Sequence, residues 1–319
     1  MKILHSADWH ILLNKKKVPY EWQINRFYKF FEKLHELEDS CDIHIISGDI
    51  FDRSPNPDET CLFLRFLNGV KKPTRIIDGN HEATTKGKSF LTYFAEREAI
   101  NNPLIKIITS NNREEFMGQG IQYFPYCEMV KDNLPAPVKD DILVTHIRGE
   151  VPPHITAEYD FNKLTPWKLI LLGDLHFHHQ YPKNKAAWYP GSPLNVNFDR
   201  DDKRAYGVQI IELTNSSDYK VKFIDLGLPK LIRKTITAGE LLTANDYHHV
   251  IYEVTGSIDE LAKVNKSELL DKKLVENRNK SVQLRLKNKT LSEELVEYLK
   301  FINVTDIDPI MKEFNDLKI

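Results

Sequence analysis

HSADWH, residues 5–10, closes the first apolar stretch of the chain and delivers two metal-capable side chains, Asp8 and His10, within three residues. One Asp and one His decide nothing alone; their meaning depends on whether other strands end the same way. KILHSAD, from Lys2, has the apolar run of a buried strand. DIHIISGD (42–49) reads as a second strand, with Gly48 permitting a sharp exit, and TRIIDGNHE (74–82) as a third strand-to-loop unit. Between them, YEWQINRFYKFFEKLHELE (20–38) carries apolar residues at helical spacing. Pro55 and Pro57 open a loop, and DETCLFLRFLNGV (58–70) reads as a helix ended by Gly69. This β-α-β-α-β rhythm predicts a mainly parallel sheet flanked by helices.

The rhythm then changes. IKIIT (105–109), GIQYFPY (120–126), DILVTHI (141–147), WKLILLGDLH (167–176), YGVQIIEL (206–213) and YKVKFIDL (219–226) are short apolar segments with little helix between them. They predict a second sheet packed on the first. LGLPKLIRK (226–234) looks like a linker, because Gly227 and Pro229 interrupt the pattern. Beyond it HHVIYEVTG (248–256) is strand-like, and TLSEELVEYLKFI opens with a capping-box pattern, Thr290 and Glu293.

Composition bounds the function. With 319 residues the chain can build one large core plus a smaller module. Hydrophobic residues are 41% and charged residues 28%, as in soluble globular proteins. The net charge of -2 means that polyanion binding must come from local patches or metals. Cys41, Cys61 and Cys127 are scattered and odd in number, which reads as reduced thiols in a cytoplasmic protein, not a disulfide framework. MKILHSADWH is too short and polar for a signal peptide, and no run approaches the ~18 apolar residues of a membrane span.

The strand ends collect an unusual set. The first supplies Asp8 and His10, the second Asp49 with Asp52 close behind, and the third Asn80 and His81. ILVTHI supplies His146, and LILLGDLHFHH supplies Asp174, His176, His178 and His179. In open α/β sheets, ligands gather outside the carboxyl ends of the strands. Convergence there would give enough donors for two metals. Mixed imidazole and carboxylate without thiolate suits Mn²⁺, Fe or Zn²⁺ better than Ca²⁺. A metal pair ~3.5–4 Å apart can clamp a phosphate and activate water, which is phosphoester hydrolysis chemistry. Each motif alone is weak: GNH or DxH arises by chance, and a Gly before an acid can simply mark a turn. His5, His35, His44, His154, His248 and His249 read as core or surface histidines.

The ordered set, Asp8-x-His10, Gly48-Asp49-x-x-Asp52, Gly79-Asn80-His81-Glu82, His146 and the 174–178 cluster, resembles that of the calcineurin-like metallophosphoesterases over roughly residues 1–226. WYPGSPLNVNFDRDDKRAYGVQIIEL (188–213) resembles a segment of the SbcD-type DNA repair nucleases and of the related phage recombination exonuclease subunits. The resemblance implies a two-sheet α/β sandwich (residues 1–230) with a small C-terminal α+β capping domain (231–319). It implies two Mn²⁺ per chain, with Mg²⁺ or another divalent metal as alternatives. Asp8, His10 and His176 would hold one metal, Asp49 would bridge, and Asn80, His146 and Asp174 would hold the second. His81 would act on the leaving oxygen or the transition state, and Asp52 would orient His81 or merely stabilise its turn. The family pattern at the fourth site is Gly-His-x-His, whereas this chain has Gly173-Asp174-Leu175-His176. Counting from Gly173 makes Asp174 the donor; sliding the register by two makes it His178.

The resemblance further implies a DNA exonuclease or endonuclease subunit that works as a homodimer within a heterotetramer with an SbcC-type ABC ATPase. The polar stretch 263–289 has nine Lys/Arg against three Asp/Glu. It reads either as a solvated face or as a DNA contact through Lys280, Arg285 and Lys287. The rival readings are a metallophosphatase or small-molecule phosphodiesterase, which GDIFDR and GNHE also fit, and a non-catalytic scaffold.

Overall fold

A computed structural model describes residues 1–84, 88–95, 102–151, 155–200, 203–275, 290–302 and 304–316. The chain opens with β1 (Lys2–Ser6), α1 (Tyr20–Glu38), β2 (Ile43–Ser47), α2 (Pro57–Gly69), β3 (Thr74–Ile77), α3 (Thr92–Ala95) and β4 (Ile105–Ile108). Strands β1 to β4 pair parallel in that order, as the alternation of strand and helix requires. Helix α1 buries Phe27, Phe30, Phe31 and Leu34, the i, i+3, i+4, i+7 face legible in its sequence. Helix α2 starts with Pro57 as its first residue, after Asn56. The Asn56 side chain accepts from the Glu59 amide at 2.9 Å, while Glu59 Oε2 accepts from the Asn56 amide at 2.8 Å.

The chain then builds a second sheet from β5 (Asn112–Phe116), β6 (Gln119–Phe124), β7 (Ile142–His146), β8 (Leu169–Gly173), β9 (His179–Gln180) and β10 (Ala187–Tyr189). Its order is β5-β6-β7-β8-β10-β9, with β6, β7, β8 and β10 parallel. The connections here carry little helix, only α4 (Tyr126–Met129) and a 3₁₀ turn at Phe161–Leu164 among the described residues. Next, β11 (Gly207–Asn215) and β12 (Asp218–Asp225) return to the first sheet, with β11 antiparallel to β1. The two sheets pack face to face through Ile3, Ile43, Ile45, Ile121, Val144 and Leu171, all fully buried. Leu4, Ile46 and Ile76 point to the other face of the first sheet, against the phenylalanines of α1 and α2. This is the α/β two-sheet sandwich.

The remaining elements are β13 (Leu231–Thr237), β14 (His249–Gly256), α5 (Ile258–Ala262), β15 (Leu270–Val275), α6 (Leu291–Phe301) and α7 (Asp308–Asp316). The chain falls into two compact units, Met1–Lys234 with Leu242–Tyr252, and Thr235–Leu241 with Glu253–Ile319. The stretch 226–234 is not a free linker: Leu226, Leu228, Leu231 and Ile232 are buried, and strand begins at Leu231. Burial of these apolar side chains outweighed the Gly227 and Pro229 signal. Helix α6 begins at the Thr290–Glu293 capping box. Lys280, Arg285 and Lys287 lie outside the described residues. Among the described residues, no helix is long and apolar enough to cross a membrane.

A polar chain runs beneath the first sheet. Glu38, 1% exposed, takes hydrogen bonds from His35 Nδ1 at 2.8 Å and His44 Nδ1 at 2.7 Å. His44 Nε2 meets Ser6 Oγ at 2.9 Å, and the Trp9 indole donates to Ser6 Oγ at 3.1 Å. Burial alone would raise the Glu38 carboxyl, but the two imidazoles bring it down to about 2. Glu38→Ala leaves buried partners unsatisfied and is expected to cost about 1–3 kcal/mol, read as a lower urea midpoint. The folded pKa is depressed, so the carboxylate's contribution is present above pH ~4.3 and is lost as pH falls toward about 2. The stability gap between wild type and Glu38→Gln should therefore shrink over that interval.

Candidate metal centre

Strands β1, β2 and β3 are parallel, as are β7 and β8, so each set presents its carboxyl ends along one edge. Those ends bend sharply. Asp8, His10, Asp49 and Asp174 all have positive φ, at 56°, 46°, 53° and 95°. Asp and His enter this region more readily than most residues, yet each such residue still costs backbone free energy, a sign that surrounding contacts hold all four. The loops after β1 and β2 are zipped by main-chain bonds, Asp8 N to Gly48 O and His10 N to Asp49 O, both 3.1 Å. The Asp174 amide donates to Asp8 Oδ1 at 3.0 Å. Gly48 and Gly173 make room: a Cβ on Gly48 would lie 2.6 Å from His146 Nδ1, and one on Gly173 would lie 2.1 Å from Ser47 O.

The result is a cluster of potential donors. Ligand atoms of Asp8, His10 and His176 lie within 4.8 Å of one another, as do those of His10, Asp49 and His81, and of Asp8, Asp49 and His146. Asp49 Oδ2 is 3.7 Å from His10 Nε2, 3.5 Å from His146 Nε2 and 3.9 Å from His81 Nε2, which puts this carboxylate at the middle. Asp174 Oδ1 is 3.9 Å from His146 Nε2. His146 Nδ1 donates to Ser47 O at 2.7 Å, so in the neutral ring Nε2 carries the lone pair.

Three observations fit a divalent metal. His10 Nε2 and His176 Nε2 stand 3.0 Å apart, the spacing of two bonds of about 2.1 Å at a right angle. Asp8 Oδ2 is buried with no hydrogen-bond partner. The Asn80 oxygen faces acceptors; turned over, the amide would instead donate to Asp49 Oδ2 and Asp174 Oδ1, each at 3.3 Å. A cation among these oxygens selects the orientation with the amide oxygen inward.

The electrostatics agree. Burial first, then Asp49 and Asp174, push the Asp8 carboxyl well up. Burial works against the charged forms of Asp49 and His146, yet their proximity holds Asp49 well below the usual carboxylate range and His146 well above the usual imidazole. Burial, then His10, lowers His176 to about 4. Asp49 and His176 are thereby in the forms that ligate, whereas Asp8 and His146 hold protons that a bound metal would displace.

Asp8, His10, Asp49, Asn80, His81, His146, Asp174 and His176 are thus brought to one place. The Asp52 carboxylate is not on His81: His81 Nδ1 donates to the main-chain oxygen of Asp52 at 2.5 Å, and Asp52 Oδ1 sits 3.5 Å from His10 Nδ1. His178 is engaged elsewhere, with Nδ1 donating to Tyr189 O at 3.1 Å and its ring stacked on Phe223.

Two supports went unassigned in the sequence. Glu82 is fully buried and accepts from the amides of Asp49, Gly79 and Phe51 at 2.9, 2.8 and 2.9 Å, locking the β2 and β3 loops together. Burial and then Asp49 raise its carboxyl to about 8. Ser192 Oγ lies 2.7 Å from Asp8 O and bridges toward Leu194 O. The Tyr189 hydroxyl donates to Ile147 O at 2.8 Å. Both motifs, GNHE and YPGSP, were visible; what they brace was not.

Parallel strands ending in Asp, Asn and His around a shared carboxylate define a phosphoesterase centre, and the family model for calcineurin-like phosphoesterases matches residues 1–211. The chain belongs to that family. It is 37% identical over 324 residues to the probable exonuclease subunit 1 of Escherichia phage T5, covering 98% of this chain and 97% of that one. Among solved structures, a Thermus thermophilus protein is 14% identical, covering 70% of this chain and 98% of its own, with a TM-score of 0.41. A predicted phosphoesterase of Streptococcus pneumoniae is 15% identical over 70% of this chain and 89% of its own, with a TM-score of 0.33.

If Asp174 rather than His178 is the donor, Asp174→Ala should weaken Mn²⁺ binding at least ~10-fold, measured by titration calorimetry. His178→Ala should leave it nearly unchanged. A larger loss from His178→Ala would move the donor from residue 174 to residue 178.

Proposed function

We propose that this chain is a DNA nuclease subunit that hydrolyses phosphodiesters with two divalent metals, Mn²⁺ foremost. The observation that carries the reading is Asp49, a buried carboxylate centred between two donor groups. Asp8, His10 and His176 would hold one metal; Asn80, His146 and Asp174 would hold the other, with Asp49 shared. Bound there, the metals would supply Lewis acidity toward a phosphoryl oxygen and a water of lowered pKa.

The protein's own groups do the rest. His81 is pinned through Nδ1 to Asp52 O, which leaves Nε2 as the edge available to substrate, on a side chain 34% exposed. In the protonated ring that edge donates to a leaving oxygen or to the charge that develops on the phosphoryl group. Asp52 positions His10, and Glu82 holds the loops that aim Asp49 and Asn80. DNA is favoured over a small phosphoester by the near full-length likeness to a chain named an exonuclease subunit. The word subunit in that name supports a partner. We assign it to the SbcC-type ABC ATPase class, with this chain as a homodimer in a heterotetramer acting in the cytoplasm on repair, recombination or phage DNA. Residues 231–319 would form the capping module, and Lys280, Arg285 and Lys287 would meet backbone phosphates.

The decisive experiment incubates linear duplex DNA with the protein and Mn²⁺, with and without the partner ATPase. Mn²⁺-dependent degradation that the ATPase stimulates is expected; turnover of p-nitrophenyl phosphate far above that of DNA would favour a phosphatase. His81→Ala should lose most turnover, ~10²-fold or more, while keeping two Mn²⁺ per chain by elemental analysis. Loss of one metal would make His81 a ligand. Replacing Lys280, Arg285 and Lys287 with Gln should flatten the salt dependence of duplex binding, by up to ~0.9 in slope for each phosphate no longer neutralised. An unchanged slope would remove these residues from the DNA interface.

A further inference from the structure

We propose that Phe177 is a stacking platform for an unpaired nucleobase of the strand held at the metal centre. This rests on the nuclease reading and concerns how the same site grips its substrate. Phe177 directly follows His176, so the two Cα atoms are ~3.8 Å apart. The residue is 39% exposed. A lone exposed phenylalanine is ordinary; this one is held by a column of rings. Phe177 stacks on His179 with centroids 4.5 Å apart and an interplanar angle of 21°. His179 stacks on Tyr189 at 4.8 Å and 4°. Tyr189 is fully buried and hydrogen-bonded through its hydroxyl to Ile147 O. The column thus rises from the core to the surface, with Phe177 as its outermost ring.

The backbone supports the same arrangement. His179 Nδ1 donates to Phe177 O at 3.2 Å. Gly191, with φ at +79°, lets the loop approach: a Cβ there would lie 2.7 Å from His178 N and 3.0 Å from Phe177 C. Tyr189 and Gly191 both belong to the YPGSP segment, so that segment builds the base of the column and seats the loop that carries Phe177.

The chemistry selects one occupant. Phosphate addresses the metal donors, and an aromatic face beside them addresses the base of the same or the adjoining nucleotide. Every base offers a π-face, so such a contact tolerates any sequence. In a duplex both faces are covered by neighbouring bases. An unpaired or frayed end has one free, so the platform favours single strands and opened ends.

The test uses the full-length protein and a single-stranded oligonucleotide carrying 2-aminopurine, whose fluorescence is quenched on stacking. Affinity is measured in EDTA and KM in Mn²⁺, and a matched oligonucleotide carries abasic residues. Phe177→Ala should weaken binding and raise KM roughly 5- to 150-fold, the range that one base–aromatic stack supplies. It should leave the abasic strand and the Mn²⁺ content unchanged. Phe177→Trp should restore both affinity and quenching. Equal losses on the two strands, no loss, or failure of Phe177→Trp to rescue would overturn the platform while leaving the nuclease reading standing. A wild-type protein that neither binds nor cuts DNA would remove both.

Discussion

One hydrogen bond between the two sheets sets up the site: His146 Nδ1, at the end of β7, donates to Ser47 O, at the end of β2, at 2.7 Å. It ties the carboxyl edges of both sheets together and fixes the imidazole so that Nε2 points at Asp49, Asn80 and Asp174. No bulk is tolerated around it. Gly48 and Gly173 are required by packing, since a methyl group at either would collide with His146 or with the carbonyl that receives its proton. A ligand histidine whose second nitrogen is bound by a main-chain oxygen has its tautomer and aim set in advance.

Around that bond the protein packs carboxyl groups close together. Asp8, Asp49, Asp174 and Glu82 are buried or nearly so, and burial raises Asp8 and Glu82. The imidazoles of His10, His81 and His146 lie within 4 Å of the Asp49 carboxylate. Crowding carboxyl groups in this way costs free energy that bound cations would offset, and the positive-φ backbone at Asp8, His10, Asp49 and Asp174 adds to that cost. The offset lies beneath, in the apolar interlayer and in bonds such as those of Glu82 and Ser192, which brace the loops from behind.

The YPGSP segment braces the loops that carry the candidate donors. Ser192 contacts the main chain of Asp8, Tyr189 contacts the end of β7, and Gly191 admits the loop after β8. One short segment thus touches three of the chain ends that carry donors. Its likeness to nuclease sequences therefore has a physical content: it shapes the rim beside the metal donors.

Periodicity alone carried much of this protein. The strands from β1 to β3 and β6 to β8, both long helices, the α6 capping box and the residues of the donor cluster were legible, because each depends on local spacing or on a residue type at a strand end. Contacts between segments far apart in sequence were not. Asp52 lies in a loop that reads as a partner for His81, yet its carboxylate went to His10, because the carbonyl and not the side chain reaches His81. Residues 226–234 read as a linker, yet their leucines pack and a strand begins at Leu231. In the string GDLHFHH, counting from Gly173 favours Asp174 over His178 as the donor, and spacing alone goes no further. The folded chain adds position: Asp174 Oδ1 lies 3.9 Å from His146 Nε2, while His178 Nδ1 is bonded to Tyr189 O, because contacts between segments far apart in sequence decide what each side chain faces.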